Sequence, residues 1–164
     1  MMIGIISDTH DNLEAVEDAI EILNNKGVTA VLHAGDLVSP FMARAFSKLE
    51  PELYMVFGNN EGDKITIKSW FEVFGATIYG NFASLEIENR KIALLHGTNE
   101  KIIDSLAKSG NFDLVVRGHT HEPSIKQISG TLVINPGECC GVLSGKRTLA
   151  FWDPDTNEAE IIEF

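Results

Sequence analysis

Apolar residues are spaced along this chain in two rhythms. Short runs rich in β-branched and aliphatic residues, "MIGIIS", "TAVLHAG", "ELYMVFG" and "FDLVVRG", read as buried strands. Between them the apolar positions recur every three or four residues. "DNLEAVEDAIEILNNKG" places Leu13, Val16, Ile20 and Leu23 on one helical stripe, with Asp11 as its cap, Glu14 three residues later and Gly27 as its stop. Ser39-Pro40 reads as the N-cap and first helical position of "FMARAFSKLE", whose Phe41, Met42, Ala45, Phe46 and Leu49 are expected to face inward. "DKITIKSWFEVFG" and "NEKIIDSLAKSG" read as further helices. From Thr77 the pattern gives a strand and then a hairpin turning at Glu88-Asn89-Arg90, and the C-terminal part consists of short strands joined by Gly, Pro and Asp/Asn turns. Alternating strands and helices predict an α/β fold of two mixed sheets with helices outside them, as one domain over 1–164.

Composition narrows the function classes. A chain of 164 residues can bury a core, and no apolar run reaches the length that crosses a bilayer. The N-terminus lacks a basic segment followed by a small-residue cleavage site, so the cytoplasm is the expected location and no membrane partner is expected. The net charge of −11 opposes long-range attraction to nucleic-acid polymers, although bound cations could still recruit a small phosphate. The adjacent Cys139 and Cys140 fit small semi-buried thiols better than a disulfide or a zinc site.

The chemistry collects where strands stop. The first strand runs into Asp8-Thr9-His10, the second into Gly35-Asp36 and the third into Gly58-Asn59-Asn60; later strands end in His96-Gly97 and Gly118-His119-Thr120-His121. Ligands of open α/β sheets gather at the carboxyl ends of strands, so these clusters are expected to share a pocket. Imidazole and carboxylate donors without thiolates suit Mn, Fe, Ni, Co or Zn rather than structural zinc. Residues two apart in extended backbone point to one side, so Asp8 with His10, and His119 with His121, are expected to address a common site.

In this order and spacing, "DTHDN", "GD", "GNN", "HG" and "GHTH" resemble the calcineurin-like metallophosphoesterases, and most closely their small bacterial and archaeal phosphodiesterase branch. The resemblance covers nearly the whole chain, from Asp8 to "INPG" at Ile134 to Gly137. It implies a four-layer αββα sandwich. It also implies two divalent transition-metal ions, with manganese first among Mn, Ni, Fe, Co and Zn. Asp8, His10 and His121 would hold one ion, Asp36 would bridge, and Asn59, His96 and His119 would hold the other. Two cations sharing a carboxylate and a water activate that water for in-line attack on phosphorus, so the implied activity is hydrolysis of small phosphate esters, chiefly diesters. Asp36, Asn59 and Asn60 are the implied catalytic residues, and a homodimer is compatible with the resemblance. Many relatives have histidine where this chain has Asn60. Asn60 can donate a hydrogen bond but delivers no proton, which predicts a preference for good leaving groups. Glu138 also departs from the pattern, which usually has a small polar residue there.

Simpler roles fit the remaining candidates. His33 inside its strand reads as a hydrogen-bonded core residue, Asp11 as a helix cap and Arg117 as a surface ion pair. Trp70, Phe71 and Phe74 read as core or a subunit contact, and the acidic runs as solvated faces. Two rival functions remain on the sequence. A binding scaffold of the same fold, as in a retromer subunit, would not need the complete ligand set, and a mononuclear hydrolase would leave several donors unexplained.

Overall fold

Each apolar run becomes a strand whose direction is fixed by the helix behind it. The computed structural model describes residues 1–164. In chain order the elements are β1 (Ile3–Ile6), α1 (Leu13–Lys26), β2 (Ala30–His33), α2 (Ala43–Phe46), β3 (Glu52–Met55), α3 (Lys64–Glu72), β4 (Thr77–Ile78) and β5 (Phe82–Ile87). They continue with β6 (Arg90–Leu95), α4 (Glu100–Lys108), β7 (Leu114–Val116), β8 (Ser124–Ile128), β9 (Thr131–Asn135), β10 (Thr148–Asp153) and β11 (Glu158–Glu163). One sheet has the order β11-β10-β1-β2-β3-β4 and the other β5-β6-β7-β9-β8. Neighbours from β1 to β4 are parallel and β10 and β11 add antiparallel strands. In the second sheet β6, β7 and β9 are parallel, with β5 and β8 antiparallel at the edges.

Side-chain alternation separates the layers. Ile3, Ile5, Leu32, Leu94, Val116 and Trp152 meet between the sheets. Ile6, Val31 and Met55 point the other way, onto α1–α3. Ala93, Val115 and Val133 pack under Ile103 and Ala107 of α4. The result is the expected four-layer αββα sandwich of mixed sheets. Burying such faces stabilises at roughly 25 cal/mol per Å² of apolar area, so the strand ends are anchored by the core behind them. Gly4 makes the first contact possible, because a Cβ there would lie 2.3 Å from the Leu23 side chain of α1.

Several local expectations change. Asn12, not Asp11, caps α1 by accepting from Ala15 N–H, while Asp11 accepts from Ser39 N–H and ties the first loop to the second. Leu13 is 45% exposed because it lies at the helix entry, and Ala15 and Ala19 take its place against the sheet. Ser39 makes no side-chain cap; Pro40–Met42 form a 3₁₀ turn before the short α2, and this tighter turn carries Phe41 outward onto the edge of Trp70. Phe71 is core, whereas Trp70 is 44% exposed. The hairpin turns on Glu88 and Asn89, both at positive φ, and Arg90 is already paired with Ile87 in β6. No helix is long and apolar enough to cross a membrane.

Candidate metal centre

The carboxyl ends of β1, β2, β3, β6 and β7 meet at one edge of the two sheets, and their loops bring the predicted donors together. Asp8, His10 and His121 present ligand atoms within 4.8 Å of one another, as do Asp8, Asp36 and His96. His10 Nε2 lies 3.6 Å from Asp8 Oδ1 and 3.4 Å from Asp36 Oδ2, so the two groups are contiguous. Asn59 Oδ1 lies 3.0 Å from His119 Nδ1, and the His119 ring stands 5.2 Å from that of His96. All seven predicted ligand positions, Asp8, His10, Asp36, Asn59, His96, His119 and His121, therefore form one contiguous cluster.

The pairs at spacing two do not arise from strand pleating. Asp8, His10, Asp36, His119 and His121 all have positive φ, between 40° and 72°. Left-handed backbone, not extended chain, turns the side chains of "DTH" and "HTH" inward. Both pairs reach the common cluster, and within it the two histidines of the second pair diverge. His119 faces Asn59 and His96, whereas His121 Nε2 lies 3.2 Å from Asp8 Oδ1. Non-glycine residues in this conformation cost energy and persist where surrounding contacts fix them, as they do at functional sites.

Those contacts come from a shell around the donors. His96 Nδ1–H donates to Ala34 carbonyl at 2.8 Å, so its Nε2 lone pair faces Asp36 Oδ2 at 3.2 Å. His121 Nδ1–H donates to the buried Glu138 carboxylate at 2.7 Å, which turns Nε2 toward Asp8. Glu61 accepts from the backbone N–H of Asp36, Val38 and Gly58 and so joins the second and third loops. Ser7 donates to Asp8 Oδ2. Asn60 donates both its backbone N–H and its side-chain NH₂ to Asp36, each at 2.8 Å. Glu61, Ser7 and the role of Glu138 were missed by sequence reasoning; an acid three residues after Gly58 and another directly after "NPG" were the available signals. Cys140 donates its thiol to Glu138, and burial pushes that thiol up to about 12.

Arg117 is also reassigned. It is buried, pairs with Glu100 at the start of α4, and donates to the carbonyls of Gly97 and Gly118. The guanidinium thus ties the last two loops together from behind, and is no surface ion pair. His33 occupies the expected core role: Gly35 N–H donates to its Nδ1, so Nε2–H donates to Thr9 Oγ1. Burial lowers His33 to about 4, against an ordinary value of 6.5. A histidine kept neutral in the fold but protonated when unfolded lowers stability as pH falls from 6.5 toward 4. In chelator-treated protein, the stability difference between wild type and His33→Gln is therefore expected to shrink across that window, by at most ~1.4 kcal/mol per pH unit. Denaturant titrations at pH 4 to 7 measure it, and a difference independent of pH would remove the neutral-core assignment.

The electrostatics are those of a cation cradle. Burial opposes ionisation of Asp8 and Asp36, but the nearby His10 and His96 imidazoles and the hydrogen bonds from Ser7 and Asn60 outweigh it and lower both carboxyls. The Asp8 carboxylate, 3.6 Å away, raises His10. Burial alone would lower His96, but Asp36 and Asp8 draw it upward. Asp8 Oδ1, His10 Nε2 and His96 Nε2 are buried and have no hydrogen-bond partner within the protein. Buried polar atoms without partners are costly, and three that converge fit a divalent cation with O and N ligands.

Glycine lets these loops close. A Cβ on Gly118 would lie 1.9 Å from Ser7 Oγ and 2.6 Å from Asp8 Oδ2. Gly118→Ala is expected to displace Asp8 and cut metal-dependent hydrolysis by on the order of 100-fold, with the far-ultraviolet circular dichroism retained. Metal titration of this variant checks the cause, since the weakened step should be loading.

Comparison with known proteins agrees with this geometry. The calcineurin-like phosphoesterase superfamily domain matches residues 1–157. The chain belongs to this superfamily. Among its calcineurin-like relatives, the phosphodiesterase MJ0936 of Methanocaldococcus jannaschii is 40% identical over 159 residues, covering 96% of both chains. A solved archaeal phosphodiesterase superposes with a TM-score of 0.96 at 39% identity, covering all of both chains. The zinc complex of Vps29 from Entamoeba histolytica shares the calcineurin-like fold at 21% identity, with a TM-score of 0.74 over 99% of this chain and 91% of that one.

Proposed function

We propose that this protein is a metal-dependent phosphodiesterase of the cytoplasm, hydrolysing small phosphate esters with two divalent cations. The observation that carries the reading is the convergence of unpartnered Asp8 Oδ1, His10 Nε2 and His96 Nε2 in one buried cradle. Asp8, His10 and His121 would hold one cation, Asn59, His96 and His119 the other, and Asp36 would lie between them. Bound there, divalent cations supply charge to the phosphoryl oxygens and acidify a water for in-line attack.

The chain's own groups do the positioning. Ala34 carbonyl and Glu138 keep the Nδ1 protons on His96 and His121, which leaves each Nε2 as a donor atom. Asn60 spends its side-chain NH₂ on Asp36 and holds no transferable proton, so leaving groups must depart as stable anions. A net charge of −11 favours compact substrates over nucleic-acid polymers. The buried thiols Cys139 and Cys140 suit a reducing compartment.

The deciding experiment is hydrolysis of a panel of mono- and diesters by purified protein, metal by metal from Mn to Zn, with bound metal counted. Two ions per chain and preference for diesters of acidic phenols are expected. A stoichiometry near one under saturating metal would overturn the dinuclear reading. Asn60→His is expected to raise turnover on esters of poor leaving groups, by about tenfold at least if the new imidazole serves as a general acid; unchanged ratios across leaving groups would discard that role.

A further inference from the structure

Beside the metal centre lies a cavity of about 550 Å³ whose walls begin at Asn59 and His96. That volume falls in the range of about 300–1,000 Å³ typical of small-molecule sites. Its apolar part is Phe57, Phe82, Leu95, Ile102 and Leu106; Phe82 is 43% exposed and Ile102 50% exposed, so both present apolar surface to whatever enters. Phe82 meets Phe112 edge to face, at 79° between the rings, which leaves ring area open. Polar groups stand at intervals around these residues. Asn81 is exposed, and Asn99 Oδ1 accepts from Lys101 N–H, so the Asn99 NH₂ is the group left for a ligand. Lys64 is the only formally charged side chain in the walls, 5.3 Å above the Phe57 ring.

This lining selects a chemical class. A second phosphate would need several cations, and a plain alkyl group would leave the carboxamides unused. A flat heteroaromatic ring with hydrogen-bonding edges uses both: aromatic and aliphatic surface for its face, amides for its rim. Asn59 and His96 line the cavity, whereas Asn60, the side chain expected beside the departing oxygen, does not. We propose that this cavity receives the base of a nucleoside esterified to the scissile phosphate, as the substituent that stays on phosphorus. The inference rests on the phosphodiesterase reading and narrows it to small nucleoside diesters.

Two esters with one leaving group test it: thymidine 5′-(p-nitrophenyl phosphate) and methyl p-nitrophenyl phosphate. The nucleoside ester is expected to have a kcat/KM about tenfold higher, expressed in KM, the size of effect one stacked base gives. Phe82→Ala and, separately, Ile102→Glu are expected to bring the ratio of the two esters to about one. Equal wild-type kinetics, or a variant loss shared equally by both esters, would overturn the proposal. Saturation-transfer NMR of thymidine with chelator-treated protein gives a readout without catalysis; saturation of base protons that disappears in Phe82→Ala supports it, and its absence in wild type overturns it. Base binding with no ester hydrolysed under any metal would sink the phosphodiesterase reading and leave the base site standing. Hydrolysis of internal linkages in a single-stranded oligonucleotide as efficient as that of the nucleoside ester would overturn the restriction to small substrates.

Discussion

Asp36→Asn is expected to lower metal-dependent kcat/KM by on the order of 10³-fold, with the fold intact. The substitution is nearly isosteric, and Asn tolerates the left-handed backbone of residue 36, whose φ is 59°. What changes is charge and hydrogen-bond sense. Asp36 accepts from two donors of Asn60, the backbone N–H on Oδ1 and the side-chain NH₂ on Oδ2. An asparagine must point its own NH₂ at one of them. The anion 3.4 Å from His10 Nε2 and 3.2 Å from His96 Nε2 would vanish as well. Because those imidazoles fall in different proposed donor sets, the loss should reach both cations. Bound metal is expected to fall from two per chain toward zero at limiting metal, and the rise in melting temperature on adding Mn should disappear. Full hydrolysis by Asp36→Asn would falsify its placement between the cations.

The clustering of the predicted donors was legible because their chemistry sits at strand ends. Asp8, Asp36, Asn59, His96, His119 and His121 each follow an apolar run within a few residues, and packing of that run fixes where its end lies. The layers followed from alternation for the same reason. The groups that aim the donors were hidden. Glu61 is fixed by accepting N–H groups from loops 23 and 25 residues away, and Glu138 by His121 17 residues away; neither spacing carries a local pattern. The left-handed backbone at Asp8, His10, His119 and His121 was also obscure, although Asp, Asn and His are the side chains most often found there after glycine. Two competent cap residues, Asp11 and Asn12, stand side by side, and the choice was made by a third party: Ser39 N–H takes Asp11. Phe41 was read as buried since its spacing fits a helix, but the 3₁₀ turn at Pro40–Met42 advances the side chain by more than a helical step.

Glu138→Gln should have the second largest effect, and on one half of the centre. The Glu138 carboxylate faces donors only. Oε2 accepts from His121 Nδ1–H at 2.7 Å, from the Cys140 thiol at 3.1 Å and from Leu143 N–H at 3.2 Å, and Oε1 accepts from Ser144 N–H. A glutamine placed there must turn NH₂ toward a donor in either orientation. If it faces His121, the proton on Nδ1 loses its acceptor, and Nε2 is no longer held toward Asp8 Oδ1. Removing such an acceptor behind a ligand histidine costs about 10–100-fold in metal affinity. The cation proposed for Asp8, His10 and His121 should therefore dissociate first, giving about one ion per chain at metal concentrations that saturate wild type. Glu138 makes no hydrogen bond to Asn59, His96 or His119, so the other site should keep its affinity. Stability without metal should fall too, by about 1–3 kcal/mol for a buried donor left unmatched. The pH dependence follows from the carboxyl itself. Burial works against its ionisation, but bonds from Ser144, His121 and Cys140 outweigh this and hold it near about 2, below its ordinary value of 4.5. A carboxyl lowered by folding stabilises fully above its unfolded value and loses that contribution as pH falls toward the folded one. The advantage of wild type over Glu138→Gln should thus be constant above pH 4.5 and narrow between 4.5 and 2 in chelator-treated protein. Equal loss of both cations would instead mean that Glu138 supports the whole cradle and overturn its assignment to the His121 side.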